Sequence, residues 1–223
     1  MSLPSLAEIA TAPYASGAEI LLTDDEITTA ALAALTIELP QIAERATLYL
    51  PDRQVLPVEA ELTEAEEEAM ALCLAMGRSA LTRGNPPVGA VLLDNERGLS
   101  WGAMTIDKTT PHILGHGEVR AYGQAHEVVG DQLQNCTLVT TAQPCNTCTC
   151  PYAEGQIGRI VFAAPRSAIY AVSGLMRPRE INMPDLLRDG NTTTVVMQGH
   201  RARDALASFA TWGELHRTGK LRK

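Results

Sequence analysis

His116-Gly117-Glu118 and Pro144-Cys145-Asn146-Thr147-Cys148 are the two pieces of this sequence around which the rest arranges itself. One imidazole and two thiolates form a borderline-soft donor set that suits Zn²⁺. Three protein ligands, His116, Cys145 and Cys148, leave the fourth tetrahedral position to water, whose pKa there falls to about 7. Glu118, beside the first ligand, is the natural carrier of that water's proton. Residues three apart share a helix face, so Cys145 and Cys148 can grip one ion. If they open a helix, its positive end favours their thiolates. His116 and Glu118 are only two apart and can converge only at an irregular or terminal turn, which Gly115 and Gly117 permit. A fourth ligand from His112, His126 or Cys150 would close the site into a structural clamp, a reading that leaves Glu118 without a role. Cys150, two residues beyond Cys148, should point away from the ligand face.

Working outward, Thr63 and Glu66 form a capping box that starts a helix through about residue 81, with Met70, Cys73, Met76 and Ala80 on its apolar face. Asn85-Pro86-Pro87 ends it. Residues 88–93 and 99–105 read as an antiparallel pair of strands, and residues 108–114 as loop. A helix is expected from His116 to about residue 129, and a β-branched strand over 137–141 delivers Pro144 and the cysteines. An irregular helix, containing Pro151 and Gly155, continues to about residue 157. Strands at 159–164 and 192–197 and helices at 167–176 and 201–215 complete the reading. Strands alternating with helices predict a mostly parallel sheet covered on both faces.

The 60 residues at the start stand apart. They hold nine acids and two bases, giving −7 of the formal net charge of −8, so the remainder is close to neutral. A second capping box, Thr23 with Glu26, opens an alanine-rich helix to about residue 35, and residues 41–50 form either a second short helix or a strand. The expected organisation is an acidic, mainly helical extension over 1–60, a cap or an arm, followed by a catalytic domain over 61–223. The extension would pack on the core, cross to a partner subunit or cover the site. Neither part shows the basic face of a nucleic-acid binder, and the cluster Arg217, Lys220, Arg222 and Lys223 reads as a solvated tail. Apolar runs such as Ala90 to Leu93 are far too short to span a membrane, and no basic residue precedes Arg45, so a cytoplasmic location is expected. Five cysteines in such a chain argue against a disulfide framework, and Cys73 and Cys136 read as small buried hydrophobes.

His-x-Glu followed by Pro-Cys-x-x-Cys resembles the cytidine deaminase-like superfamily. Asn85-Pro86-Pro87-Val88-Gly89-Ala90-Val91 and Arg159-Ile160-Val161-Phe162 place the chain closest to the branch of guanine deaminases and tRNA adenosine deaminases. The resemblance covers roughly residues 63–215 and implies a three-layer α/β/α sandwich with a five-stranded mixed sheet. It implies hydrolytic deamination of a small amino-bearing heterocycle, a nucleobase or nucleoside with guanine foremost, by water activated at zinc, with Glu118 moving the protons. It further implies substrate contacts from Asn85, Thr105, Gly117 and Pro144, and a homodimer is expected. Departures from the family pattern are Gly117 and Gln143, where alanine and glutamate are usual, and Cys150, where relatives have glycine. Thr105 stands about where an asparagine often binds the base. A tRNA adenosine deaminase and a catalytically silent ligand-binding relative are the alternatives; charge speaks against the first and the intact Glu118 against the second.

Overall fold

The computed structural model describes residues 3–5, 8, 21–108, 114–175 and 178–221. Within them run seven strands and seven helices of a regular α/β core. The helices are α1 (Asp24–Ala34), α2 (Glu64–Thr82), α3 (Gly117–Val129), α4 (Asn146–Glu154), α5 (Arg166–Ser173), α6 (Met183–Asp189) and α7 (Ala202–Arg217). The strands are β1 (Arg45–Tyr49), β2 (Val55–Val58), β3 (Gly89–Asp94), β4 (Leu99–Met104), β5 (Cys136–Ala142), β6 (Arg159–Ala164) and β7 (Thr194–Gln198), in the sheet order β2-β1-β7-β6-β5-β3-β4. Both capping boxes form, at Thr23/Glu26 and Thr63/Glu66.

The side-chain alternation of each central strand divides between two cores. Val91, Leu93, Val139, Val161 and Met197 pack toward α1, α2, α5 and α7. Ala90, Leu92, Leu138, Ile160, Phe162 and Val196 pack toward α3, α4 and α6. The three-layer sandwich expected from the resemblance is therefore present. One short helix, α6, was not legible, because Pro184 and a seven-residue length leave no periodicity to read.

Two expectations are corrected. The sheet has seven strands, not five; among its described residues the extension supplies both α1 and the hairpin β1–β2, which docks on β7 through β1. The hairpin escaped notice because Pro51 and Pro57 interrupt its pattern. Proline is tolerated at a sheet edge, and β2 is the edge, with Pro57 opposite Thr47. Its turn is closed by Arg53, whose N–H donates to the Leu50 carbonyl at 2.9 Å with φ at +66°. The sheet is also not mostly parallel. Only β5–β6 and β6–β7 pair in parallel, while the other four pairings are antiparallel. Strand–helix alternation specifies the central crossovers but says nothing of hairpins added at each edge.

Close approach between α2 and β3 explains one glycine of the sequence motif. A Cβ on Gly89 would lie 2.2 Å from the Cys73 carbonyl oxygen, so a side chain there would force helix and strand apart. The Cys73 thiol also ties α2 to the neighbouring strand β5, donating to the Val139 carbonyl at 3.3 Å. No helix among the described residues is long and apolar enough to cross a membrane.

Candidate active site

The two sequence pieces meet at the N-termini of two helices. His116 is the N-cap of α3 and Cys145 the N-cap of α4, both with extended backbone, and Cys148 lies in the first turn of α4. His116 thus stands outside the helix while Glu118 lies just inside it, which is the terminal turn that a two-residue spacing demands. His116 Nδ1 is 3.3 Å from Cys148 Sγ and 3.4 Å from Cys145 Sγ, and the two sulfurs are 3.4 Å apart. These three ligand atoms form a compact cluster within 4.8 Å of one another.

The donor set fits zinc on its own chemistry. Two sulfurs and one imidazole nitrogen crowd one point, the borderline-soft donor set that zinc takes. Hydrogen bonds from Cys148 and His116 hold the Cys145 thiol down to about 3, and the Cys145 sulfur in turn raises His116 to about 9. Cys148 is pushed well up, first by Cys145 and then by burial. One thiolate and one proton-bearing thiol at this separation are the state that a divalent cation replaces, since it takes both sulfurs as thiolates. The helix ends add positive potential in the same sense.

The possible fourth ligands fall away where they can be described. Cys150 is exposed, His126 pairs with Asp131 at 2.9 Å, and His112 lies outside the described residues. Glu118 is buried, 4 % exposed, and burial raises its carboxyl. The fully buried Tyr152 of α4 donates its hydroxyl to the Glu118 carbonyl at 2.8 Å, fastening the two helices that bear the ligands.

His116, Glu118 and Cys145 line a cleft together with Thr105, Asp107, Ala142 and Gln143. Phe209 of α7 also lines it and packs edge-on against Trp212, so the aromatic pair of the last helix reaches the site through one member. Of the residues expected to touch substrate, Thr105 lines the cleft, but its hydroxyl accepts from the Gly117 N–H at 3.1 Å and so holds the start of α3. Asn85 is fully buried and does not line the cleft; its Oδ1 accepts from the Lys108 N–H at 3.0 Å and fixes the backbone there. Gly117 and Pro144 sit beside the ligands without lining the cleft. A Cβ on Gly117 would stand 3.0 Å from the Ala103 carbonyl oxygen, a tight approach between the start of α3 and β4.

Sequence reasoning passed over Asp107, Arg166 and Tyr170. Asp107 Oδ2 lies 3.9 Å from His116 Nε2, on the side of the ring away from the sulfurs, and its buried Oδ1 has no hydrogen-bond partner among the described residues. A carboxylate in that place orients a metal-bound imidazole. No spacing rule singles out an aspartate in a loop, and Arg166 and Tyr170 belong to α5, whose position over the cleft is a tertiary fact.

Residues 63–164 match the family model for the cytidine and deoxycytidylate deaminase zinc-binding region. The chain is 30% identical over 103 residues to a tRNA-specific adenosine deaminase of Haemophilus influenzae, covering 46% of this chain and 60% of that one. It is 32% identical over 108 residues to a tRNA(Ile)-lysidine synthase of Deinococcus radiodurans, covering 48% of this chain but only 19% of that one. The chain therefore spans less than two thirds of the length of either relative. A solved guanine deaminase from Nitrosomonas europaea shares the fold with a TM-score of 0.57 at 22% identity, over 70% of this chain and 88% of that one.

Proposed function

We propose that this chain, whose residues 63–164 match the deaminase zinc-binding region, is a hydrolytic deaminase of a small amino-bearing heterocycle. The single observation that carries the reading is the convergence of His116, Cys145 and Cys148 with a buried Glu118 at one cleft. A zinc ion on those three ligands supplies Lewis acidity toward water. Glu118, kept apart from bulk solvent, takes the proton that water loses on adding to the ring carbon. It passes that proton to the ring nitrogen, then moves the proton of the newly added hydroxyl to the amine as the carbonyl forms and the C–N bond breaks, releasing ammonia. Ala142, Ile169 and Phe209 give the cleft an apolar wall for the face of a flat ring. Thr105 acts by holding the turn between His116 and Glu118 in place, and Asn85 by fixing the backbone at Lys108.

Guanine is the leading base to test, beside cytosine and adenine. The test is ammonia release from bases, nucleosides and nucleotides by zinc-loaded protein, with Glu118→Gln as control. Release by the wild type and its loss in the variant support the reading; no release from any of them overturns it. The similarity to a tRNA-specific adenosine deaminase favours one competing reading, deamination within an RNA stem-loop. The acidic net charge opposes it, and an anticodon stem-loop added to the same panel separates the two.

A further inference from the structure

The cleft at Glu118 continues outward. Gln143, Arg166 and Tyr170 line it and also line a second, outer cleft that opens toward the start of α6, where Asn146, Ser167 and Arg179 join them. Among the described residues the outer wall holds two arginines and no aspartate or glutamate, in a chain where acids outnumber bases 26 to 18. Neither arginine forms an ion pair among the described residues.

Arg166 is held in place. Its Nε donates to the Tyr170 hydroxyl at 2.6 Å, its guanidinium carbon lies 5.2 Å from the Tyr170 ring centroid, and its backbone N–H donates to Gln143 Oε1 at 3.1 Å. Those contacts use one of the five guanidinium N–H donors and leave the Nη pair for something else. Arg166 is also the first residue of α5, whose first turn carries no acid. A cation there works against the helix dipole, and a local conflict of that kind is tolerated where function requires it. A rigid, unpaired guanidinium with a second one near it and amides and a hydroxyl around it is suited to an oxyanion.

We propose that the outer cleft is a subsite for a phosphomonoester, so that the substrate is a nucleoside monophosphate and not the free base or nucleoside. This rests on the deaminase reading and narrows it. The ring occupies the inner cleft at Glu118, and its phosphate lies between Arg166 and Arg179. Both arginines can share a group of charge about −1.5 to −2, whereas a single carboxylate is satisfied by one guanidinium fork. Two arginines suit one terminal phosphate; a polynucleotide needs a longer basic track, which the described residues of the outer wall do not form.

The experiment compares base, nucleoside and 5′-monophosphate of each nucleobase on the full-length, zinc-loaded protein, in ammonia release and in equilibrium binding. The expected result is a kcat/KM for one monophosphate about 10- to 100-fold above its nucleoside, carried mainly by KM. Arg166→Gln and Arg179→Gln should each remove most of that advantage, Arg179→Gln leaving nucleoside turnover within about twofold, and Arg166→Lys should restore part of it. Inorganic phosphate should compete with the monophosphate and lose affinity in Arg166→Gln. A base or nucleoside that outperforms its monophosphate overturns the subsite and leaves the deaminase reading standing. Equal losses for nucleoside and monophosphate in Arg166→Gln overturn it too, by making Arg166 a structural residue. Preference for a carboxylated heterocycle or for an oligonucleotide replaces the phosphomonoester by that source. If nothing releases ammonia the deaminase reading fails, and the subsite then stands or falls on whether monophosphates bind more tightly than nucleosides to the wild type but not to Arg166→Gln.

Discussion

The Tyr152 hydroxyl donates to the Glu118 carbonyl at 2.8 Å, joining the helix that carries both cysteines to the helix that follows the histidine. Neither partner is solvent-accessible to any extent that would let water replace the bond. Tyr152→Phe is therefore expected to cost about 1 kcal/mol of stability, the net scale of one hydrogen bond. It should also weaken zinc retention, since the two halves of the ligand set lose their brace. Urea unfolding with and without a chelator measures both. A variant as stable as wild type, with unchanged zinc affinity, would show that the helices are aligned without this bond.

Cys148 is buried among the ligand atoms, whereas Cys150 is exposed. Cys148→Ser should lose most of its zinc and unfold more easily, because metal binding energy is also folding energy. Cys150→Ser should keep about one zinc per chain. Elemental analysis of the two purified variants decides the matter, and a parallel loss in both would restore the closed four-ligand site.

Glu118 approaches the site without belonging to the His116, Cys145 and Cys148 cluster, so removing its carboxylate should separate metal binding from chemistry. Glu118→Gln and Glu118→Ala are expected to retain zinc and fold. Turnover of whichever heterocycle the wild type deaminates should fall by ~10²–10⁴-fold, the range of acid–base catalysis. Loss of zinc would instead make the glutamate a support of the metal, and full activity would move the proton transfer elsewhere.

The hairpin β1–β2 covers β7 along its length, and α1 packs on α7. Removing residues 1–60 should leave β7 as a bare sheet edge and expose the apolar side of α7, so the truncated chain is expected to aggregate. Gly199→Ala tests the same junction more gently. Its φ is +93°, and a Cβ there would lie 2.7 Å from the Ala43 carbonyl oxygen, so it should lower the melting temperature without touching the zinc ligands. A soluble truncated chain that binds zinc would make the segment an accessory to the fold.

Features governed by local chemistry could be read along the chain. Donor type and spacing in His116-Gly117-Glu118 and Pro144-Cys145-Asn146-Thr147-Cys148 specified the ligand set, because a metal reads three donor atoms and two turns. Capping boxes at Thr23 and Thr63 specified where two helices start, because each closes within four residues. Only the tertiary structure decided the rest. β2 is recognisable as a strand only once β1 lies beside it, since Pro57 spoils its pattern and an edge position excuses the proline. Asn85 and Thr105 accept hydrogen bonds from the N–H groups of Lys108 and Gly117, partners that lie 23 and 12 residues away and that no local spacing announces. Arg166 and Phe209 come from distant helices, and no spacing along the chain could bring them to Glu118. Packing of α5 and α7 over the end of β5 does that, and packing is a property of the assembled layers.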